Sequence, residues 1–193
     1  MKKKIALMTM LIFALAILGG CASTTDTMDD EFEDAPSWVL DGGSSMDEGA
    51  AAVGSAKISK AGMNFTRTEA MAYARDELAR QLGVKVKNMV KNFSQTTGIG
   101  DDETVDKVSS QVSTQVTKET ISGSRQKDMW ISPSKDLYVL VFVDNETLKT
   151  AVKNSVQTSM KNEAALWQQF QAKKAYDDLE KEIEKEFGSY QGQ

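Results

Sequence analysis

The 193-residue chain contains no histidine. Without an imidazole there is no Ser-His or Cys-His dyad, no His-ligated zinc or haem, and no side chain whose ordinary pKa sits near neutrality. There is one cysteine, Cys21, so no disulfide can close within the chain. Prolines number two, and aromatic residues make up 7% of the sequence. The longest apolar run, Ile5 to Leu18, spans 14 residues, whereas a helix needs about 20 to cross a bilayer. An enzyme built on carboxylates or a Ser-Lys pair remains conceivable. The acidic pairs Asp76-Glu77 and Asp177-Asp178, however, fall at helix positions that read as solvated faces.

What is present begins with an address. Lys2, Lys3 and Lys4 precede the apolar run, and Gly19 and Gly20 precede the lone Cys21. A charged start, a short apolar core and small residues before a cut are the layout of a secretory signal. With cysteine in the next position they resemble a bacterial lipobox. That resemblance implies cleavage between Gly20 and Cys21 and a diacylglycerol on the Cys21 thiol. Residues 1–20 are then a signal peptide. Each buried CH₂ contributes about 0.8 kcal/mol, and stable attachment needs about two chains, which a diacylglycerol supplies. Loss of the signal removes three lysines and no acid, so the net charge deepens from −5 to −8. Such a surface repels phosphates, which excludes nucleic acid as a natural partner and leaves the acyl chains to hold the membrane.

Residues 21–34 form the expected tether, with six acids and no base from Ala22 to Asp34. Self-repulsion extends such a segment, to a reach of at most roughly 43 Å. Its acids do not follow the calcium-loop spacing, and no metal or other cofactor is expected. Ala35-Pro36-Ser37-Trp38-Val39 ends the tether, and Trp38 and Val39 are expected to pin it onto the folded part. Residues 50–58 read as a strand of small residues, in which Gly54 points to a helix crossing closely above. Met71, Ala74, Leu78, Leu82, Val86, Met89 and Phe93 step by three and four along one face of a helix over 66–93, with Asn64 or Thr66 as its cap. A second helix begins at Asp101-Asp102. Its line of Val105, Val108, Val112 and Val116 is β-branched and intrinsically weak, so it either depends on tertiary packing or is partly strand. Alternation over 119–131 and the continuous run Leu137–Val143 predict a hairpin across Ser132-Pro133-Ser134-Lys135. Asp144 or Asn145 then starts one long helix, or two with a bend near Asn162. The tail either folds back on the domain or offers a coiled-coil or partner-docking surface. The sequons at Asn64, Asn92 and Asn145 read as chance.

The order strand, helix, strand, strand predicts an α+β fold: a three-stranded antiparallel sheet covered by long helices, with a C-terminal helical extension. The lipobox, Pro36-Ser37-Trp38-Val39, Ala52-Val53-Gly54-Ser55-Ala56, the stretch Ala70 to Leu82, and Trp130-Ile131-Ser132-Pro133 before Leu137-Tyr138-Val139-Leu140-Val141 occur in sequence. In that order they resemble the LPP-20-like family of small bacterial lipoproteins. The resemblance covers roughly residues 18–145. It implies an α+β domain over 35–145, with 146–193 as an extension outside the shared core. It implies an outer-membrane lipoprotein, by sorting of the Ala22 that follows the cysteine, facing the periplasm. It implies no catalytic residue. The related flagellar FlgP-type lipoproteins build rings around the motor, which makes a basal-body role in motility one alternative. A cell-wall or small-ligand binding module around Trp130, Tyr138 and Trp167 is another, although Trp130 is expected to pack under the tail helix. Self-association, or docking of an envelope protein partner, is the expected mode of action. Replacing Cys21 by serine tests the address: the parent is expected to take up radiolabelled palmitate and sediment with membranes, and C21S to lose both.

Overall fold

A computed structural model describes residues 30–44 and 48–188. Gly20 and Cys21, with the whole of the expected signal and most of the tether, lie outside the described residues. Contacts divide the chain between Asp34 and Ala35, and the elements below belong to the unit that begins at Ala35. Strands β1 (Gly49–Lys57), β2 (Arg125–Ile131) and β3 (Asp136–Asp144) form an antiparallel sheet in the order β1-β3-β2. The helices are α1 (Ser37–Leu40), α2 (Met63–Thr97), α3 (Asp102–Gly123), α4 (Asn145–Asn162), α5 (Ala164–Ala172) and α6 (Tyr176–Phe187). The fold is α+β, as the order of patterns implies.

Strand β3 is central and apolar on both faces. Leu137, Val139, Val141 and Val143 are buried against the helices, while Leu140 and Phe142 are buried on the other face. A continuous apolar run is what a strand covered on both sides requires. Under α2, β1 presents Ala52, Gly54 and Ala56. A Cβ built on Gly54 would lie 2.2 Å from the Ala70 carbonyl oxygen and 2.3 Å from the Ala74 nitrogen. The helix backbone therefore rests on the strand backbone at this crossing. The periodic face of α2, from Ala74 to Phe93, fills the space between the sheet and α3.

Helix α2 is longer than its apolar periodicity and starts earlier. Gly62 (φ 93°) turns the chain into it, and no side chain caps it. Thr66, expected as a cap, lies inside the first turns and donates to the Gly62 carbonyl at 3.3 Å. Gly98, in the left-handed region, ends the helix. Helix α3 is helical throughout, with Val108, Val112 and Val116 buried. Tertiary packing outweighs the low propensity of its β-branched residues. Its cap is Asp101, whose carboxylate accepts from the Thr104 N–H at 2.9 Å. The hairpin's first arm begins only at Arg125, because residues 119–123 complete the last turn of α3. Thr120 is buried there in the helical register of Val116, and the Ser124 hydroxyl closes the turn on the Ile121 carbonyl at 2.7 Å.

The tail is three helices rather than one or two. Asp144 caps α4 by accepting from the Thr147 N–H at 2.8 Å, and these bonds hold its carboxyl below the usual carboxylate range. The chain breaks after Asn162, as expected, and again at 173–175, where Lys174 takes φ 50°. The second break turns α6 back along the domain. Leu166, Phe170, Leu179, Ile183 and Phe187 are buried in the same core as Leu78 and Val139. Phe170 meets Phe93 at 6.1 Å, and Lys153 pairs with Glu180 across α4 and α6. Of the two expectations for the tail, the fold takes the one in which it folds back.

Two glycines test the crossing. Gly54→Ala is expected to destabilise by about 2–4 kcal/mol, because backbone and not a flexible side chain must move. Gly83, inside α2 with nothing nearer its Cβ position than 3.5 Å, is expected to gain about 0.5–1 kcal/mol as alanine. Urea denaturation of the two variants checks both signs.

Candidate functional site

Helices α2 to α6 lie on one side of the sheet. The other face carries a second, smaller cluster: Trp38, Ala51, Leu140 and Phe142 buried, with Val39, Val53, Trp130 and Tyr138 half-buried around them. Its cover is slight. Helix α1 has four residues, and the turn after it follows closely. Gly43 (φ 84°) passes so near that an added Cβ would lie 3.0 Å from Leu140 and 3.2 Å from the Ala51 methyl. Pro36 sets the start of α1, and the Trp38 ring is thereby laid on the sheet with 6% of its surface exposed.

Trp38 is the clasp. Its indole N–H donates to the Asp128 carboxylate at 3.1 Å, across 90 residues of chain. The expectation that Trp38 pins the end of the tether onto the domain is met. Asp128 was not singled out by pattern, although it alternates with Trp130 on the same face of β2. The register of β2 on β3 shifts between Gln126 and Asp128, which makes Lys127 the bulged residue. Lys127 reaches over the Phe142 ring at 4.4 Å and meets Glu48 at 3.3 Å. A bulge leaves little trace in composition, so no sequence pattern announced it.

Trp130 is not under the tail helices. It lies beside Tyr138 with ring centroids 5.5 Å apart, on the face away from them. In the register, Trp130 pairs with Tyr138, and both follow the outward alternation of β3. Trp167 is on the helical side, stacked on Phe170 at 5.5 Å. The groove that would join Trp130, Tyr138 and Trp167 is therefore not assembled. Asp76, Asp177 and Asp178 are exposed, and Glu77 pairs with Arg80, so these acids stand on solvated faces as expected. Three carboxyls are held below their ordinary range: Asp101 and Asp144 by cap bonds from their threonines, and Asp106 by a hydrogen bond from Lys91. Each serves a helix start or a helix pair. Among the described residues no group of three or more acids is placed to hold a metal ion, and no helix is long and apolar enough to cross a membrane.

Among the described residues no further strand pairs with β1 or β2, and the two edges of the sheet differ. On β2 the bulge interrupts the ladder, and the Asp128 carboxylate accepts the edge-facing N–H of Met129 at 2.8 Å. Bulges and charges of this kind keep an edge from pairing. Strand β1 has nine residues, no bulge, and no charge before Lys57.

The sequence model of the LPP20 lipoprotein family matches residues 36–144. The chain belongs to the LPP20 lipoprotein family. The match begins at Pro36, where the Trp38 clasp begins, and ends at Asp144, the cap of α4. It thus spans the sheet, α2, α3 and the clasp, while the LPP20 match leaves out the three tail helices that complete the core here. Membership makes the protein a lipoprotein of the envelope. No curated protein matches the chain.

The clasp separates into packing and hydrogen bonding. Trp38→Ala is expected to lower stability by about 3–5 kcal/mol through the lost ring. Trp38→Phe and Asp128→Asn, which keep most of the volume, are each expected to lose about 1–3 kcal/mol. Chemical denaturation measures all three, and a Trp38→Ala cost below about 1 kcal/mol would show that the ring does not hold this face.

Proposed function

We propose that this LPP20 lipoprotein is a non-enzymatic, lipid-anchored adaptor of the outer membrane, facing the periplasm, which acts by associating with copies of itself or with an envelope protein partner. The observation that carries it is the Trp38 clasp. The first residues of the folded unit are fastened to β2 by a buried ring and a hydrogen bond to Asp128. An acyl group on Cys21 would then be joined, through the tether, to a segment that is itself part of the folded core. Two further features support the reading. The face away from the helices carries half-buried Val53, Trp130 and Tyr138, and β1 ends the sheet with a plain edge. Membrane attachment raises the local concentration of both surfaces without new contacts.

Among the described residues, Asp101 and Asp144, whose carboxyls are held below their usual range, cap helices, and Asp106 pairs with Lys91, which supports the adaptor reading. Crosslinking in whole cells with a lysine-reactive reagent tests the role. The parent at its native level is expected to appear as homo-oligomers or as a defined hetero-complex. A product that stays monomeric at native surface density, with no second protein attached, overturns it.

A further inference from the structure

The open edge of β1 carries a pattern that selects its partner. The Asn145 N–H donates to the Glu48 carbonyl, and the Ile58 N–H to the Lys135 carbonyl, both at 3.0 Å. Both pairs obey the β1–β3 register. Residues bonded to β3 alternate along an antiparallel strand, so the even-numbered residues of β1 bond to β3. The odd-numbered residues, Gly49, Ala51, Val53, Ser55 and Lys57, therefore turn their N–H and C=O groups to the free edge. Among the described residues no hydrogen bond reaches those groups of Ala51, Val53 or Ser55. Nothing on β1 resembles the bulge and the carboxylate that guard β2.

Building on the adaptor role above, we propose that β1 pairs antiparallel with β1 of a second copy about a two-fold axis at Val53, joining two sheets into one of six strands. The register follows from three features. Full overlap of the nine residues puts Val53 opposite Val53, Ala51 opposite Ser55 and Gly49 opposite Lys57, and all of these are edge-facing residues that can exchange bonds in pairs. The ends are complementary in charge: Lys57 and Glu48, with side chains 70% and 81% exposed, lie at opposite ends of the strand. An antiparallel two-fold brings each Lys57 beside the partner's Glu48, at both ends of the interface. A parallel pairing would instead place like charges together.

The third feature lies on α2. Arg75 reaches toward the start of β2, where its guanidinium donates to the hydroxyl of Ser124, the residue before the strand, at 3.1 Å. At about 100° per residue, Tyr73 and Val84 lie on the opposite flank of the helix, toward the free edge of β1. They are 54% and 64% exposed, among the most exposed large apolar side chains described. Tyr73 adjoins the crossing of Ala70 and Ala74 over Gly54, next to the axis. A second copy seated on β1 brings its own α2 beside this flank and covers it.

Val53→Pro tests the edge in the full-length protein purified in detergent. Val53 donates no hydrogen bond to β3, and proline is tolerated on an edge strand where the N–H faces out. The parent is expected to sediment as a dimer, and V53P to dissociate at least about tenfold more readily while keeping its cooperative thermal transition. Cysteine placement provides a second readout independent of folding losses in V53P. Across the axis, Val53→Cys residues would have Cα atoms about 5.5 Å apart, within disulfide reach. Lys57→Cys residues would be about 27 Å apart. Mild oxidation is expected to crosslink V53C beyond the parent, in which the lipidated Cys21 offers no free thiol, and to leave K57C at the parent's level. Equal crosslinking of the two, or dimers of V53P as tight as the parent's, overturns the interface while leaving self-association by another surface intact. A parent monomeric both in detergent and in cells overturns the interface and leaves the adaptor role to a hetero-complex alone.

Discussion

The contact on which the structure depends is the meeting of two backbones at Gly54. With no Cβ between them, α2 lies directly on β1, its Ala70 and Ala74 resting over the glycine. The distance set there fixes how far the rest of the helix stands from the sheet. Small residues on β1, Ala52 and Ala56, keep that approach open on either side of the crossing. The larger side chains of α2, from Leu78 to Phe93, then have a wedge of space to fill as the helix extends beyond the sheet. Helix α3 and the folded-back tail fill the remainder. A closely seated helix on an edge strand and a widening core beyond it are thus one arrangement, and both follow from the missing side chain.

The second constraint is that β3 is apolar on both faces. A strand of this kind cannot leave either side in water. Helices α2 and α3 and the three helices of the tail serve one face, and the chain has little left for the other. It uses the first residues of the folded unit: a proline-started turn, one tryptophan and a glycine turn pressed onto Leu140 and Ala51. That the LPP20 match starts at Pro36 becomes intelligible, since the segment is part of the core and not only the end of a linker. The cover stops short of Trp130 and Tyr138, which remain half-buried.

Much of this was legible in residues 36–144. The 3.6-residue period of α2, the unbroken run of β3, the glycine at the crossing and the docking of Trp38 all follow from local chemistry that the tertiary fold leaves in place. The failures have physical causes. The alternation at 121–124 sets Ile121 among the small residues Ser122, Gly123 and Ser124, which suit either state, and continuation of the Val116 register carried residues 121–123 into α3. Thr66 has a capping side chain, but Gly62 had already turned the chain. Trp130 was assigned to the wrong face because strand alternation tells which residues share a side but not which side the helices take. The second break in the tail, at Lys174, has neither proline nor glycine to mark it. Packing of Phe170 and Leu179 into one core imposes it.

The free edges show where pattern ends and register begins. Which groups of a strand face out is decided by its pairing with the neighbour, and one slip would exchange the bonded and unbonded sets. For β1 the two flanking bonds, at Glu48 and Ile58, agree on the answer. The same alternation places the side chains of the edge-facing residues on the Trp38 side of the sheet, where Ala51 and Val53 already touch the smaller cluster. Edge and outer face are therefore not independent surfaces. A strand added along β1 would meet the backbone of Val53 and, on the outer side, the same patch that the clasp leaves half-covered. The clasp thus serves both surfaces: by holding Ala51 and Leu140 under cover it fixes the strand whose other groups remain open to pairing.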